Sequence, residues 1–149
     1  MTMEKTLLSR EVLKKNKWST VECDLFDKYK VFCHFIDNRY YFILEQRSDS
    51  EFILSLQKGC VNTTRKIDEL TGVANNDTEE KYLSRIDLEE LYGWNKVDYN
   101  VYSKEINDRY YTLVYTDFDC DFIFLEKIKV VNTLEELNET IAIEHTKAE

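Results

Sequence analysis

The 149-residue chain contains no proline and only three glycines, Gly59, Gly72 and Gly93. That scarcity excludes a proline-rich or glycine-serine linker, so whatever joins its parts is built from ordinary residues. Three isolated glycines also cannot build a phosphate-cradling loop or a nucleophile elbow. The four cysteines, Cys23, Cys33, Cys60 and Cys120, lack the paired spacing of a zinc ribbon or redox motif. A disulfide framework is excluded, and the thiols read as small hydrophobes in a reducing, cytoplasmic setting. There are two histidines, His34 and His145. In a strand Cys33 and His34 point to opposite faces and cannot act as nucleophile and base. No apolar run approaches the ~20 residues of a membrane helix, and Glu4 and Lys5 ahead of only Leu7 and Leu8 do not make a secretory segment. The expectation is a cytoplasmic protein with no membrane contact.

The chain does contain itself. Residues 28–69 laid on 98–139, at a constant offset of 70 and without a gap, match at 13 of 42 positions. Tyr29/Tyr99, Ile36/Ile106, Arg39/Arg109, Tyr41/Tyr111, Phe52/Phe122, Asn62/Asn132 and Thr63/Thr133 are among them. Unrelated sequences would match at roughly one position in 16, about 3 here, so a duplicated structural unit is the reading. Leu8, Ser9 and Arg10 recur as Leu83, Ser84 and Arg85, and Trp18 recurs as Trp94. Units of about 70 residues hold a marginal core and gain from packing on a neighbour. The expected division is 1–75 and 76–149, packed as one compact chain, with the boundary within Val73 to Thr78.

Local signals give each unit the order α-β-β-β-α. Ser9 and Ser84 can cap short helices. Two β-branched and aromatic segments follow, joined by Asp37 and Asn38 in one copy and by Asn107 and Asp108 in the other. Both residue types tolerate positive φ, which predicts a two-residue hairpin turn. A third strand is expected near 51–57 and 120–130. Thr133 with Glu136 reads as a capping box for a last helix, and Thr63 starts the equivalent one, ending before Gly72. The fold class is therefore α+β: two tandem pseudo-repeats, each with a three-stranded antiparallel sheet.

Strand phase sorts the side chains. Phe32, Ile36, Tyr41 and Ile43 share one face, as do Tyr102, Ile106, Tyr111 and Leu113, and this face should meet the helices. The opposite face is apolar in the first unit only, through Tyr29, Val31, Phe35, Tyr40, Phe42 and Leu44. It needs a cover: the other repeat, a second copy of the chain, or a partner at an apolar interface.

Charge is as unevenly divided. Residues 1–75 carry 12 basic and 11 acidic side chains, a net of +1, whereas 76–149 carry 8 and 18, a net of −10. The acidic groups are Asp77, Glu79 and Glu80; Asp87, Glu89 and Glu90; Asp117, Asp119 and Asp121; and Glu135, Glu136 and Glu139. Asp117, Asp119 and Asp121 open like a calcium loop, but Phe122 replaces the required glycine and Ile128 the closing glutamate, so no metal is expected. No cofactor or catalytic constellation is legible, and the expectation is a protein that is not an enzyme. Carboxylates spaced along a surface can occupy the Lys/Arg groove of a nucleic-acid-binding protein in place of phosphates. The expected function is thus inhibition of a basic partner, of the phage anti-defence or toxin-immunity kind. Two alternatives stand beside it. One is a tandem nucleic-acid-binding module acting through Arg10, Lys14, Lys15 and Lys17, and the other is a small enzyme with an unrecognised site.

Overall fold

A computed structural model describes residues 5–21, 29–46, 51–72, 82–98, 101–115 and 122–147. The elements run α1 (Arg10–Lys15), β1 (Ser19–Val21), β2 (Tyr29–Ile36), β3 (Arg39–Gln46), β4 (Glu51–Val61), α2 (Thr64–Thr71), α3 (Arg85–Glu90), β5 (Asn95–Asp98), β6 (Val101–Ile106), β7 (Arg109–Tyr115), β8 (Phe122–Val131) and α4 (Leu134–Lys147).

Each helix starts where a hydroxyl takes over an orphan backbone donor. Ser9 accepts from the Val12 N–H, Thr63 from Lys66, Ser84 from Asp87 and Thr133 from Glu136, at 3.1–3.2 Å. Glu136 does not complete a reciprocal box, because its carboxylate pairs with Lys129 at 3.2 Å. Gly72, in the left-handed region at φ 76°, stops α2. Both hairpin turns form as expected. Asp37 and Asn38 have φ of 48° and 67°, Asn107 and Asp108 of 52° and 66°. The pairs Ile36–Arg39 and Ile106–Arg109 close the two ladders in the same register.

The two expected three-stranded sheets are instead one eight-stranded antiparallel sheet with the order β1-β2-β3-β4-β8-β7-β6-β5. Two short outer strands, β1 and β5, account for the extra members. Ser19-Thr20-Val21 and Asn95-Lys96-Val97-Asp98 are too short to show a period of two, and they form by pairing with β2 and β6.

The described residues group into two compact units that do not follow chain order. Unit 1 holds α1, β1, β2, β3, the start of β4, the end of β8, and α4; unit 2 holds the rest of β4, α2, α3, β5, β6, β7 and most of β8. Strands β4 and β8 each begin in one unit and finish in the other. In consequence α2, which follows the first hairpin in sequence, packs on the second. Val61 and Ile67 join Leu88, Trp94, Tyr102, Tyr111, Leu113, Phe122 and Phe124 in one buried cluster, in which Tyr111 and Phe124 stack at 5.0 Å. In unit 1, α4 lies against the first hairpin: the His145 and Tyr41 rings meet edge-on at 6.0 Å. Backbone bonds fix both arrangements in the same way. Leu8 N–H donates to Asn132 O at 3.0 Å, and Leu83 N–H donates to Asn62 O at 2.7 Å.

Of the eight expected helix-facing side chains, Ile36 and Ile106 are only half-buried. Phe32, Tyr41, Ile43, Tyr102, Tyr111 and Leu113 are all buried. On the opposite face Val31, Phe42 and Leu44 are buried by the chain itself, while Phe35 and Tyr40 are about half exposed and touch each other at 4.7 Å. The Tyr29 side chain lies outside the described residues.

Ile67 gives a direct test of helix placement. Ile67→Ala should cost about 2–5 kcal/mol, as for other truncations of a buried aliphatic side chain. Amide exchange should then accelerate at Tyr102, Tyr111 and Leu113, with β2 and β3 little changed. Accelerated exchange at Phe32 and Ile43 instead would place α2 on its own hairpin.

Candidate interaction surface

The acidic residues fall into three groups. Asp77, Glu79, Glu80, Asp117, Asp119 and Asp121 lie outside the described residues. Glu135, Glu136 and Glu139 are on α4, in unit 1. Glu135 accepts from the Thr6 N–H and Glu136 is ion-paired, while Glu135 and Glu139 are both exposed. Asp87, Glu89 and Glu90 are on α3, in unit 2. Glu89 and Glu90 are exposed, and among the described residues neither has an ion-pair partner. Over the described residues, unit 1 carries 9 basic and 8 acidic side chains, a net of +1, and unit 2 carries 8 and 9, a net of −1.

Around α3 these carboxylates share the surface with apolar side chains. Tyr82, Ile86 and Leu91 are 78%, 65% and 68% exposed, three large hydrophobic residues within ten positions. Leu88, one turn from Leu91, anchors the helix and is fully buried. Of the three, only Ile86 lies within α3; Leu91 is its C-terminal cap and Tyr82 precedes it.

Beside α3 unit 2 opens into a cavity of about 290 Å³. Ile67 and Asp68 come from α2, Leu83, Leu91, Tyr92 and Trp94 flank α3, and Lys104 and Ile106 come from β6. The Lys104 ammonium donates to the Tyr92 carbonyl at 2.6 Å. The cavity is missed by sequence reading because it combines residues from both half-chains, and no periodicity marks them.

The basic alternative is reduced by one member. Arg10 is tied to the buried Glu45 at 2.7 Å, while Lys14, Lys15 and Lys17 are exposed. At the matching position in unit 2, Arg85 lies over the Tyr115 ring at 5.0 Å.

The two histidines, distant in sequence, meet around Tyr41. His34 pairs with it across the β2–β3 ladder and packs edge-on to Trp18 at 5.3 Å. His145 Nε2 stands 3.2 Å from an Asp37 carboxylate oxygen, close enough to pair when the imidazole is protonated but off the line of a hydrogen bond. Tyr41 Oη and His34 Nδ1 are buried without a hydrogen-bond partner among the described residues. Cys33 points to the opposite face from His34, and burial pushes its thiol pKa up, away from the nucleophilic form. Among the described residues no group of three or more His, Cys, Asp or Glu is placed to hold a metal ion, and no helix is long and apolar enough to cross a membrane.

Comparison with protein-family models, curated proteins and solved structures finds no match.

Burial, and secondarily the Lys17 ammonium, hold the His34 imidazole below its ordinary pKa. The folded chain thus binds fewer protons at this site than the unfolded chain. Stability from neutral His34 is fully present above the unfolded-state pKa and is lost as pH falls through the lower folded value. Denaturant midpoints at about pH 7.5 and 5.5 should drop further for the native chain than for His34→Gln. Equal drops would show that folding leaves His34 unperturbed.

Proposed function

We propose that the chain is a duplicated, non-enzymatic binding protein that meets a basic partner through the α3 surface of unit 2. The partner it fits best is a nucleic-acid-binding protein whose Lys/Arg groove accepts carboxylates in place of phosphates, so that occupation inhibits it. One observation carries this reading: Glu89 and Glu90, with no ion-pair partner among the described residues, stand exposed among exposed Tyr82, Ile86 and Leu91. Carboxylates without partners speed encounter with a basic surface, and large apolar side chains supply the area that holds a complex once formed. The duplication itself is supported by matched positions with matched contacts, as in the two hairpin turns, the four hydroxyl caps and the two reciprocal backbone bonds.

The test is capture from nuclease-treated native lysate on the native chain and on Glu89→Lys/Glu90→Lys, run side by side. The native chain should retain a basic protein that the variant loses, and raising salt from about 50 to 500 mM should release it. Both charge changes are at exposed positions, so the melting temperature should move little. Should the untreated lysate yield a nucleic acid instead, lost on changing Lys14, Lys15 and Lys17 to Gln, the basic face of unit 1 would be the functional one.

A further inference from the structure

We infer that the cavity beside α3 is the anchor point of that surface, and that it receives one large apolar side chain, such as Phe or Leu, carried on a segment whose neighbours are Lys or Arg. The inference rests on the acidic-surface reading and adds to it the form of the partner's contact.

Size gives the first argument. At about 290 Å³ the cavity lies at the bottom of the roughly 300–1,000 Å³ range that encloses drug-sized ligands, which suits a single side chain better than a whole cofactor. Lining gives the second. Of its lining residues, Trp94 and Ile67 are buried and Tyr92 and Ile106 half-buried. Leu91, 68% exposed, forms a lip that a bound apolar group would cover. An apolar side chain seated against Ile67, Leu83 and Trp94 gains its own burial.

Charge selects the flanking residues. Glu89 and Glu90 directly precede Leu91, and Asp68 lies on the α2 side of the cavity. The acidic groups are therefore close to the opening, where cations on either side of an inserted residue would lie. The lining carries one charge of each sign, Asp68 from α2 and, from β6, the Lys104 ammonium. One of its three N–H groups goes to the Tyr92 carbonyl. The others are directed to a backbone carbonyl of the incoming segment, which would fix its depth. An apolar anchor in a desolvated pocket with a charged rim is the usual arrangement of an interface hot spot.

The experiment uses the full chain, isotope-labelled, titrated with the blocked peptide Lys-Arg-Phe-Arg-Lys and followed by amide and indole resonances. The Trp94 indole and the Leu91 and Lys104 amides should shift saturably. Replacing Phe with Gly in the peptide should weaken binding about ten-fold, and Glu89→Lys/Glu90→Lys in the protein about five-fold or more. Leu91→Ser, at an exposed position where misfolding is not at issue, should weaken it about three-fold, and Lys104→Met similarly. If the peptide moves Glu135 and Glu139 on α4 and leaves the Trp94 indole still, the cavity is not the anchor, although an acidic protein-binding surface survives. If Glu-Glu-Phe-Glu-Glu enters the cavity as well as the basic peptide, the occupant is not basic and the reading of the acidic surface falls with it. No shift up to about 1 mM peptide also overturns the inference.

Discussion

The structure depends on a reciprocal exchange. Leu8 of the first half-chain bonds to Asn132 of the second, and Leu83 of the second bonds to Asn62 of the first. Each contact sits one residue before the threonine that caps the following helix, so the bond, the cap and the helix are positioned together. Bridges between Leu7 and Thr133 and between Tyr82 and Thr63 extend both by one residue. A unit of ~70 residues that kept its own helix would have to close a marginal core alone. Here each core is completed by a helix from the other half of the sequence. Neither half-chain therefore contains all the residues of one core, and loss of α2 is felt by the second hairpin rather than the first. Such non-local closure raises contact order and should slow folding relative to two local units.

Much of the local structure was legible because short-range chemistry decides it. The Asp-Asn and Asn-Asp turns require positive φ, and only a few residue types accept it. Ser9, Thr63, Ser84 and Thr133 announce helix starts because a hydroxyl three residues ahead of a backbone donor needs no tertiary help. The exchange was illegible for an equally physical reason. A gapless internal match states that two segments adopt the same form, and it is indifferent to which copy's helix rests on which copy's sheet. β1 and β5 escaped notice because three or four residues carry no period, and their pairing is imposed by the neighbouring strand.

The candidate surface was legible in part. Asp87, Glu89 and Glu90 stand together in sequence and remain together on α3, since a six-residue helix keeps near neighbours near. Glu135, Glu136 and Glu139 belong to the second half-chain by sequence but to unit 1 by packing. Of the acidic groups behind the −10 of the second half-chain, Asp77, Glu79, Glu80, Asp117, Asp119 and Asp121 lie outside the described residues. The apolar face divided as well. Val31, Phe42 and Leu44 are taken up by the chain, and Phe35 and Tyr40 near the hairpin turn are what remains open. Strand phase predicts which residues share a face; it does not predict how far along the strand a cover extends.

What separates the two units chemically is what occupies matched positions. Arg10 reaches a carboxylate, Glu45, where Arg85 reaches an aromatic ring, Tyr115. His34 packs its ring against Trp18, where Lys104 stretches past Trp94 to the Tyr92 carbonyl and lines a cavity. The backbone register at these sites is shared, so the difference lies in side-chain chemistry. An imidazole pressed on an indole makes a titratable core contact, whereas an extended lysine beside an indole leaves room and keeps donors available. The same scaffold position thus serves stability in one unit and, on the reading argued above, recognition in the other. A search for features shared by the two half-chains passes over the cavity, because Lys104 stands there where the matched position holds His34.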